Sequence, residues 1–415
     1  MQKIKPTKQQ LDFLNWEFGV FFHFGIRSFY HGHSDWDGKP MPASGFDPET
    51  LDCKSWIRTI REAGAKYAIL TCKHHDGFAN WPSKYSDYSV AQTPWQDGKG
   101  DVVKEFTDAC RLYGIKVGLY YSPAQWGGSV KFADGKEYDD YFINQISELL
   151  TNYGKIDYLW FDGCGSDGHE YDKKRIIKAI RTLQPEIMLF GMWDPDTMWV
   201  GNEDGYCTID RSLEQEFEGG MRFLPAECDC KMRTTTWFNC EKDEDTIKTV
   251  DELMGMYEGS VGRSANFLIN IGPDRRGLLP EKDAQRLLAF GKKLRERYEN
   301  ENRRFGEVQK TAADEWTIKL PDFSLDPKNR ASVMQLVNRL VIEEDITEGE
   351  GVKAFEVYAG LPDNREKKLC IYKGGYIGHK RIIPLPTFRT GEIIVKITKK
   401  NGKALLKSIK AYYEE

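Results

Sequence analysis

Asp162 stands at the end of a run of apolar and aromatic residues, 158–161, and Gly163 follows it directly. An apolar run that ends at a turn residue is typical of a buried strand. A carboxylate at the end of such a strand is costly to bury unless it is paired. Asp162 is therefore either a hydrogen-bonded aspartate that holds a loop or the reactive carboxylate of an active site.

Other polar side chains follow further apolar runs in the same way. They are His23, His74, His75, Tyr120, Glu203 and Glu227. In a (β/α)8 barrel the C-terminal ends of the strands meet on one face, where catalytic side chains lie. Two carboxylates without a set of metal ligands suggest glycoside hydrolysis, with one as nucleophile and the other as general acid and base. Histidines and aromatic rings suit a sugar pocket.

The elements that must position these residues alternate over the first 300 residues. The pattern predicts strands at 18–24, 67–72, 116–121, 157–161, 187–190 and 267–271, with helices at 53–63, 102–113, 138–153, 173–183, 246–261 and 280–297. A less regular stretch up to about residue 245 contributes short strands at 199–200 and 225–228. Repeated βα units imply parallel strands. We therefore predict an α/β fold in which residues 1–304 form a catalytic (β/α)8-like barrel.

After residue 305 the pattern changes to short alternating runs separated by turn residues. Examples are residues 316–320, 333–337, 354–358 and 392–396. No helical period accompanies them, and such alternation is typical of an all-β unit. The sequence predicts a C-terminal antiparallel β-sandwich over residues 305–415.

Composition narrows the function classes. The chain has 415 residues, of which 40% are hydrophobic and 30% are charged, as is usual for a globular protein. Its net charge is −5, and it has no stripe of basic residues of the kind that binds nucleic acid. No run of 18 apolar residues predicts a membrane span. The N-terminus lacks the apolar segment of a signal peptide, so we expect a cytoplasmic protein, or a periplasmic or secreted one whose signal peptide was removed. The nine cysteines lack zinc spacing, so we expect no metal and no cofactor.

Several long motifs resemble the α-L-fucosidases of glycoside hydrolase family 29. They are KYAILTCKHHDGF at 66–78, WPSKYS at 81–86, WFDG at 160–163 and NFLINIGPD at 266–274. The resemblance spans about residues 12–300 and keeps the family's order of motifs. It implies a retaining hydrolase that removes terminal α-L-fucose from fucosylated oligosaccharides or glycoconjugates. It also implies a barrel followed by a β-sandwich, with no metal; the oligomeric state stays open.

The same resemblance implies a role for individual residues. Asp162 is the implied nucleophile, and Glu203 is the implied acid/base. The segments WVGNEDG at 199–205 and PAECD at 225–229 resemble the branch that prefers α-1,3- and α-1,4-linked fucose. Glu227 is the second candidate for acid/base, its alternative being a structural pair with Arg233. The implied sugar contacts are His23, Asp35, Trp36, His74, His75, Tyr120, Trp160 and Trp237.

One departure from the family concerns Asp35, where relatives usually carry Glu before Trp. The shorter carboxylate leaves open a relaxed specificity that includes galactosides. An apolar wall for the methyl group of fucose is expected from Trp160, Phe22 or Phe24.

Two further functions remain as alternatives at this point. One is a glycan-binding relative without catalysis. The other is a metal-dependent amidohydrolase, suggested by His31-Gly32-His33 but lacking the later histidine ligands that such sites need.

Overall fold

The computed structural model describes residues 3–30, 39–125, 135–164, 168–298, 302–326, 331–361, 364 and 366–415. The helices are α1 (Lys8–Trp16), α2 (Cys53–Ala63), α3 (Val102–Tyr113), α4 (Gly135–Asn152), α5 (Lys173–Leu183), α6 (Val250–Ser260) and α7 (Glu281–Tyr298). The strands before residue 300 are β1 (Phe18–Phe22), β2 (Tyr67–Lys73), β3 (Lys116–Tyr121), β4 (Tyr158–Phe161), β5 (Met188–Phe190), β6 (Met198–Trp199), β7 (Glu214–Phe217), β8 (Gly220–Phe223), β9 (Ala226–Lys231) and β10 (Ala265–Asn270).

One sheet joins most of these strands in the order β5-β4-β3-β2-β1-β10-β9-β6. Every pairing within this sheet is parallel. A parallel bridge between Phe190, the last residue of β5, and Thr197, just before β6, links its two edges. The predicted (β/α)8-like barrel is therefore confirmed.

Local signals explain where the barrel helices begin and end. The side chains of Asp52 and Asp101 accept hydrogen bonds from backbone N–H groups in the first turns of α2 and α3. The same helices end at Gly64 and Gly114, both in the left-handed conformation that glycine tolerates best. The predicted ends of these two helices are confirmed.

Alternation along each strand decides which side chains enter the barrel. Val20 and Phe22 of β1 belong to the core between sheet and helices, whereas Phe21 belongs to the core inside the barrel. Successive strand residues point to opposite faces, so a shift of one position changes the side of the sheet. The expectation that Phe22 or Phe24 lines the pocket is wrong, because both lie in the outer core.

Two features escaped the sequence pattern. Helix α1 precedes the first strand, and its Phe13 and Trp16 pack in the inner core of the barrel. The capping box of Thr7 and Gln10 is the signal that could have located this helix. The second feature is the antiparallel hairpin of β7 and β8, which lies within the stretch expected to be irregular.

The strands after residue 302 are β11 (Arg303–Arg304), β12 (Glu307–Ala312), β13 (Glu315–Lys319), β14 (Phe323–Asp326), β15 (Ala331–Val333), β16 (Gln335–Glu344), β17 (Val352–Gly360), β18 (Lys368–Gly374), β19 (Arg381–Thr390), β20 (Glu392–Lys400) and β21 (Leu406–Tyr412). They form antiparallel sheets in the orders β11-β21-β16-β19 and β12-β13-β20-β17-β18, and β14 pairs with β15. Apolar side chains from both larger sheets share one core. The predicted β-sandwich is confirmed, while its start at residue 305 stays a prediction.

Residues of the β-sandwich also bind the segment that follows β6. Asp210 forms an ion pair of 2.7 Å with the buried Arg381 of β19 and accepts a hydrogen bond from the backbone of Gly375. The segment between β6 and β7 is thus anchored to the second unit. Among the described helices, none is both long and apolar enough to cross a lipid bilayer.

Candidate active site

A cavity of about 550 Å³ lies at the C-terminal ends of the barrel strands. Among the residues that line it are the predicted His23, His74, His75, Tyr120, Trp160, Asp162, Glu203 and Trp237. The barrel therefore brings together side chains that are up to 214 positions apart in sequence, from His23 to Trp237. Asp35 and Trp36 lie outside the described residues, as do His31 and His33.

Asp162 sits in this cavity with both carboxylate oxygens held. The hydroxyl of Tyr120 donates to Oδ2 at 2.8 Å, and the backbone N–H of Cys164 donates to Oδ1 at 2.9 Å. His75 Nε2 lies 3.5 Å from Oδ2. About a quarter of the Asp162 side chain is exposed. The carboxylate is thus oriented by its neighbours while one side faces the cavity.

An aromatic stack of four rings forms the floor of the cavity. Phe190 and Trp160 are parallel within 10° at a centroid distance of 4.1 Å, Tyr120 follows Trp160 at 5.4 Å, and His74 follows Tyr120 at 5.7 Å. Strand register places Phe190 beside Trp160 and Trp160 beside Tyr120, since β5, β4 and β3 are neighbours. A flat aromatic surface of this kind suits the carbon face of a sugar ring.

The three histidines are neutral imidazoles. Burial lowers the pKa of His23 to about 3 and that of His75 to about 4, and it lowers the pKa of His74 well below its usual value. His23 Nδ1 bonds the side-chain oxygen of Asn270 at 2.7 Å, so this nitrogen carries the proton and Nε2 is left as an acceptor. A neutral imidazole can in this way accept from, or donate to, a sugar hydroxyl.

His74 also lines the cavity, and its ring nitrogens have different surroundings from those of His23 and His75. Its Nδ1 is buried, and no group in the described part of the chain hydrogen-bonds it. Buried polar atoms are normally paired, and exceptions need an explanation. This nitrogen is closed to solvent, so it is the rest of the His74 ring that lines the cavity.

Glu203 lies on a short loop between two glycines that adopt positive φ, Gly201 at 97° and Gly205 at 77°. The next residue, Asp204, bridges to Cys230 of β9, and a Cβ on Gly205 would lie 2.9 Å from the Cys230 sulfur. Close packing on β9 explains Gly205, whereas Gly201 is explained by its positive φ alone. Lys231 Nζ lies 3.7 Å from Glu203 Oε2.

Glu227 has different surroundings from Glu203. It is 1% exposed and accepts hydrogen bonds from the Tyr67 hydroxyl at 2.6 Å, from Trp160 Nε1 at 2.9 Å and from the Tyr158 hydroxyl at 3.3 Å. Burial raises the pKa of its carboxyl to about 7. It lies beneath Trp160 and is not among the residues that line the cavity.

The expected pairing of Glu227 with Arg233 is wrong. Arg233 instead bonds Asp243 at 3.0 Å and Asp283 at 2.7 Å, and all three side chains are buried. The reason is distance, because Glu227 is the second residue of β9 whereas Arg233 lies two residues beyond the end of that strand.

Sequence reasoning missed two residues of β9, one of which lines the cavity. Asp229 lines the cavity and accepts a 2.7 Å hydrogen bond from Trp199 Nε1, and burial raises the pKa of its carboxyl to about 8. Lys231 lies beyond it, next to Glu203, with Nζ 5.5 Å from the ring centre of Trp237. Asp229 and Lys231 follow Glu227 by two and four positions on one strand, and this spacing was the available signal, since alternate residues share a face.

The cavity has the donor set of a sugar site. In the described ranges, no three residues among His, Cys, Asp and Glu are grouped as a metal ion would require. The groups available for chemistry are oriented carboxylates, neutral imidazoles and aromatic faces.

The family model for α-L-fucosidases matches residues 42–299 of this chain. A relative from Arabidopsis thaliana, α-L-fucosidase 1, is 36% identical over 307 residues, which is 69% of this chain and 59% of the relative. The chain belongs to the α-L-fucosidase family, glycoside hydrolase family 29. It spans about three fifths of the length of the Arabidopsis protein and of a similar protein from rice.

Solved structures place the whole chain in the same fold as other members of this α-L-fucosidase family. A glycoside hydrolase 29 member from an unknown rumen bacterium has a TM-score of 0.86 at 29% identity, covering 100% of this chain and 78% of the other. A Bacteroides thetaiotaomicron protein described as a candidate α-L-fucosidase has a TM-score of 0.88 at 29% identity, covering 100% of this chain and 99% of the other. The barrel and the sandwich are thus shared features.

Proposed function

We propose that this chain is a retaining exo-α-L-fucosidase that removes terminal fucose from fucosylated oligosaccharides or glycoconjugates. The observation that carries the proposal is Asp162, a carboxylate held by Tyr120 and Cys164 on the floor of a cavity that Glu203 also lines. Retaining glycosidases need two such groups, a nucleophile and an acid/base, on either side of the scissile bond.

Asp162 is proposed as the nucleophile. An Asp162 oxygen attacks C1 of fucose, and the bond from C1 to the leaving oxygen breaks as the new ester bond forms. The hydrogen bonds from Tyr120 and Cys164 fix the carboxylate before attack, so little reorganisation is needed when substrate binds. The aromatic stack offers the sugar ring a flat apolar surface next to Asp162.

Glu203 is proposed as the acid/base. In the first step its carboxyl gives a proton to the leaving oxygen, and in the second step its carboxylate takes a proton from the water that attacks C1 and frees Asp162. We expect the two carboxyls to lie about 5–5.5 Å apart in the complex with substrate. Glu227 is a weaker candidate for this role, because three donors already occupy its oxygens and Trp160 separates it from the cavity.

The sugar contacts follow from the chemistry of the cavity. His23, His74 and His75 are proposed to bind hydroxyl groups, and Trp160 with Trp237 to contact carbon faces. The C6 methyl of fucose needs an apolar wall, which Phe21 and Phe190 can provide where Phe22 and Phe24 cannot. The preference for α-1,3 and α-1,4 linkages is proposed on the WVGNEDG segment at 199–205.

A substrate panel tests this proposal. The panel holds an aryl α-L-fucoside, an aryl galactoside, α-1,3- and α-1,4-fucosylated trisaccharides and a 2′-fucosylated lactose, with Asp162→Ala as the inactive control. We expect hydrolysis of the fucosides, faster release from the α-1,3/1,4 trisaccharides than from the lactose derivative, and fucose that first appears as the α-anomer by NMR. Hydrolysis of galactosides alone would refute the sugar assignment. Binding of fucose without turnover of any glycoside would refute catalysis.

A further inference from the structure

The cavity has one tryptophan that differs from the others in exposure. Trp160 and Trp237 are 7% and 8% exposed, whereas Trp199 is 42% exposed at the cavity rim. Deep aromatic residues can contact a sugar seated above Asp162. An exposed ring at the rim is better placed to contact whatever extends out of the cavity, which for an exo-glycosidase is the leaving group.

Trp199 is held more firmly than exposed aromatic residues usually are. The backbone N–H groups on either side of it, from Met198 and Val200, donate to the carbonyls of Pro225 and Glu227 at 3.0 and 3.1 Å. Its indole N–H donates to Asp229 Oδ1 at 2.7 Å. Backbone and side chain are thus both tied to β9, which fixes the plane of the ring.

The acceptor of that indole bond is costly for the fold. Asp229 is almost completely buried, and this burial, together with the charges of Glu227 and Glu203, raises the pKa of its carboxyl. Burial of a carboxyl among other acids is unfavourable, so a function for this group is expected. Asp229 lines the cavity and accepts the hydrogen bond of Trp199, so its contacts indicate that it orients this ring.

Position along the loop connects the ring to the reaction. Glu203 follows Trp199 by four residues and lines the same cavity. A general acid must reach the oxygen that joins fucose to the next sugar. That next sugar must therefore lie beside Glu203, and Trp199 lines the same cavity four residues away along this loop.

We propose that Trp199 is the platform for the sugar that carries the fucose, and that Asp229 is a positioning residue that holds its ring in place. A ring fixed in advance loses little conformational freedom when the leaving-group sugar stacks on it. This inference rests on the proposed function, and it names the contact that distinguishes an oligosaccharide from a simple fucoside.

The test uses two substrates, α-L-fucosyl fluoride, whose leaving group has no ring, and an α-1,3-fucosyl disaccharide. The measured quantity is the ratio of kcat/KM for the disaccharide to kcat/KM for the fluoride. Trp199→Ala should lower this ratio roughly 10-fold or more, and Asp229→Ala should lower it in the same direction by about 5-fold. Tyr206→Ala is the matched control, because Tyr206 is equally exposed at 41% near the same loop and does not line the cavity.

Conservative variants separate positioning from general destabilisation. Asp229→Asn keeps an accepting oxygen, and it resembles the carboxyl closely because burial raises the pKa of Asp229 to about 8. It should restore most of the ratio. Trp199→Phe keeps a ring without the N–H, so adding Asp229→Ala to it should change the ratio no further.

Every result of this test either supports the inference about Trp199 and Asp229 or overturns it. Equal losses on both substrates, an Asp229→Asn variant as poor as Asp229→Ala, or additive losses in the Trp199→Phe background would overturn the inference and leave the proposed function standing. If Asp229→Ala does not fold, as judged by circular dichroism, the two Trp199 variants and Asp229→Asn provide the same comparison. A wild-type chain that hydrolyses neither substrate would overturn the proposed function, and this inference with it.

Discussion

The barrel interior holds carboxyl groups at two levels, below and above Trp160, and their surroundings differ. Below the ring, Glu227 has three donors, from the two strands β2 and β4, and almost no exposure. Above it, Asp162 has two donors and a side that faces the cavity. Both residues are acids at strand positions that point inward. The comparison shows that access to the cavity, more than position on a strand, decides whether a carboxylate can react.

Electrostatics separates the two levels in the same way. Burial raises the pKa of Glu227 to about 7, because its three hydrogen bonds only partly offset the loss of water. The histidines above it are held neutral by burial and are left to bind uncharged hydroxyl groups. The lower level is therefore a structural network, and the upper level is arranged for a ligand.

The largest loss of activity is expected when Asp162 is replaced, and replacement of any other carboxyl should cost less. Asp162→Ala should lower kcat by roughly 10⁴-fold or more, because no other group can form the covalent intermediate. Added azide should partly restore turnover and yield a fucosyl azide. Asp157→Ala, at the opposite end of β4, is the matched control and should keep most of the activity. An Asp162→Ala enzyme with near-normal kcat would remove this residue from the mechanism.

The next effect distinguishes the two glutamates. Glu203→Ala should lower kcat/KM for oligosaccharides about 10²- to 10⁴-fold, since their leaving oxygen needs a proton. Fucosyl fluoride, which needs none, should lose far less in the same variant. Glu227→Gln should show no such dependence on the leaving group. If Glu227→Gln shows it and Glu203→Ala does not, the acid/base assignment moves to Glu227.

A smaller effect is expected at His74, whose ring lines the cavity at the upper level. His74→Ala should lower kcat/KM for an aryl fucoside roughly 10- to 100-fold, because a bound hydroxyl then loses its partner. Trp237→Phe should lower kcat/KM by a smaller factor, since the smaller ring keeps most of the apolar contact. A histidine variant that is as active as the aromatic one would argue against a direct hydroxyl contact.

The smallest effect on activity is expected from Glu227→Gln, whose influence is on stability. Folded Glu227 keeps its proton up to about pH 7, whereas the unfolded chain releases it near pH 4.5. The stability from this group is full below about pH 4.5 and is lost as the pH rises through 7, by up to about 1.4 kcal/mol per pH unit. The histidine contributions are common to both proteins and cancel in the comparison.

Urea unfolding of wild type and Glu227→Gln at pH 5, 6, 7 and 8 measures this effect. The unfolding free energy of the wild type minus that of the variant should fall between pH 5 and 7 and then level off. A difference that stays constant over this range would mean that Glu227 has no raised pKa in the folded state.

Local patterns in the amino-acid sequence were enough to determine the repeated βα units, the change to a β-sandwich and the strand-end positions of His23, His74 and Asp162. These features depend on hydrophobic periodicity and on turn residues within a few positions, which a single sequence displays directly. Family motifs added Glu203 and the aromatic contacts. The hairpin of β7 and β8 was missed because its strands are short and mostly polar.

Only the tertiary structure decided which inward-facing carboxyls meet the cavity. Glu227 is satisfied by Tyr67, a residue 160 positions away, and by Trp160, 67 positions away. Asp229 can bind the indole of Trp199 because Trp199 lies on β6, the strand next to β9. Hydrogen bonds between distant strands depend on register around the closed barrel, and no local spacing encodes them. For that reason Glu203, Glu227 and Asp229 are equivalent acids in the sequence but occupy three different environments in the folded chain.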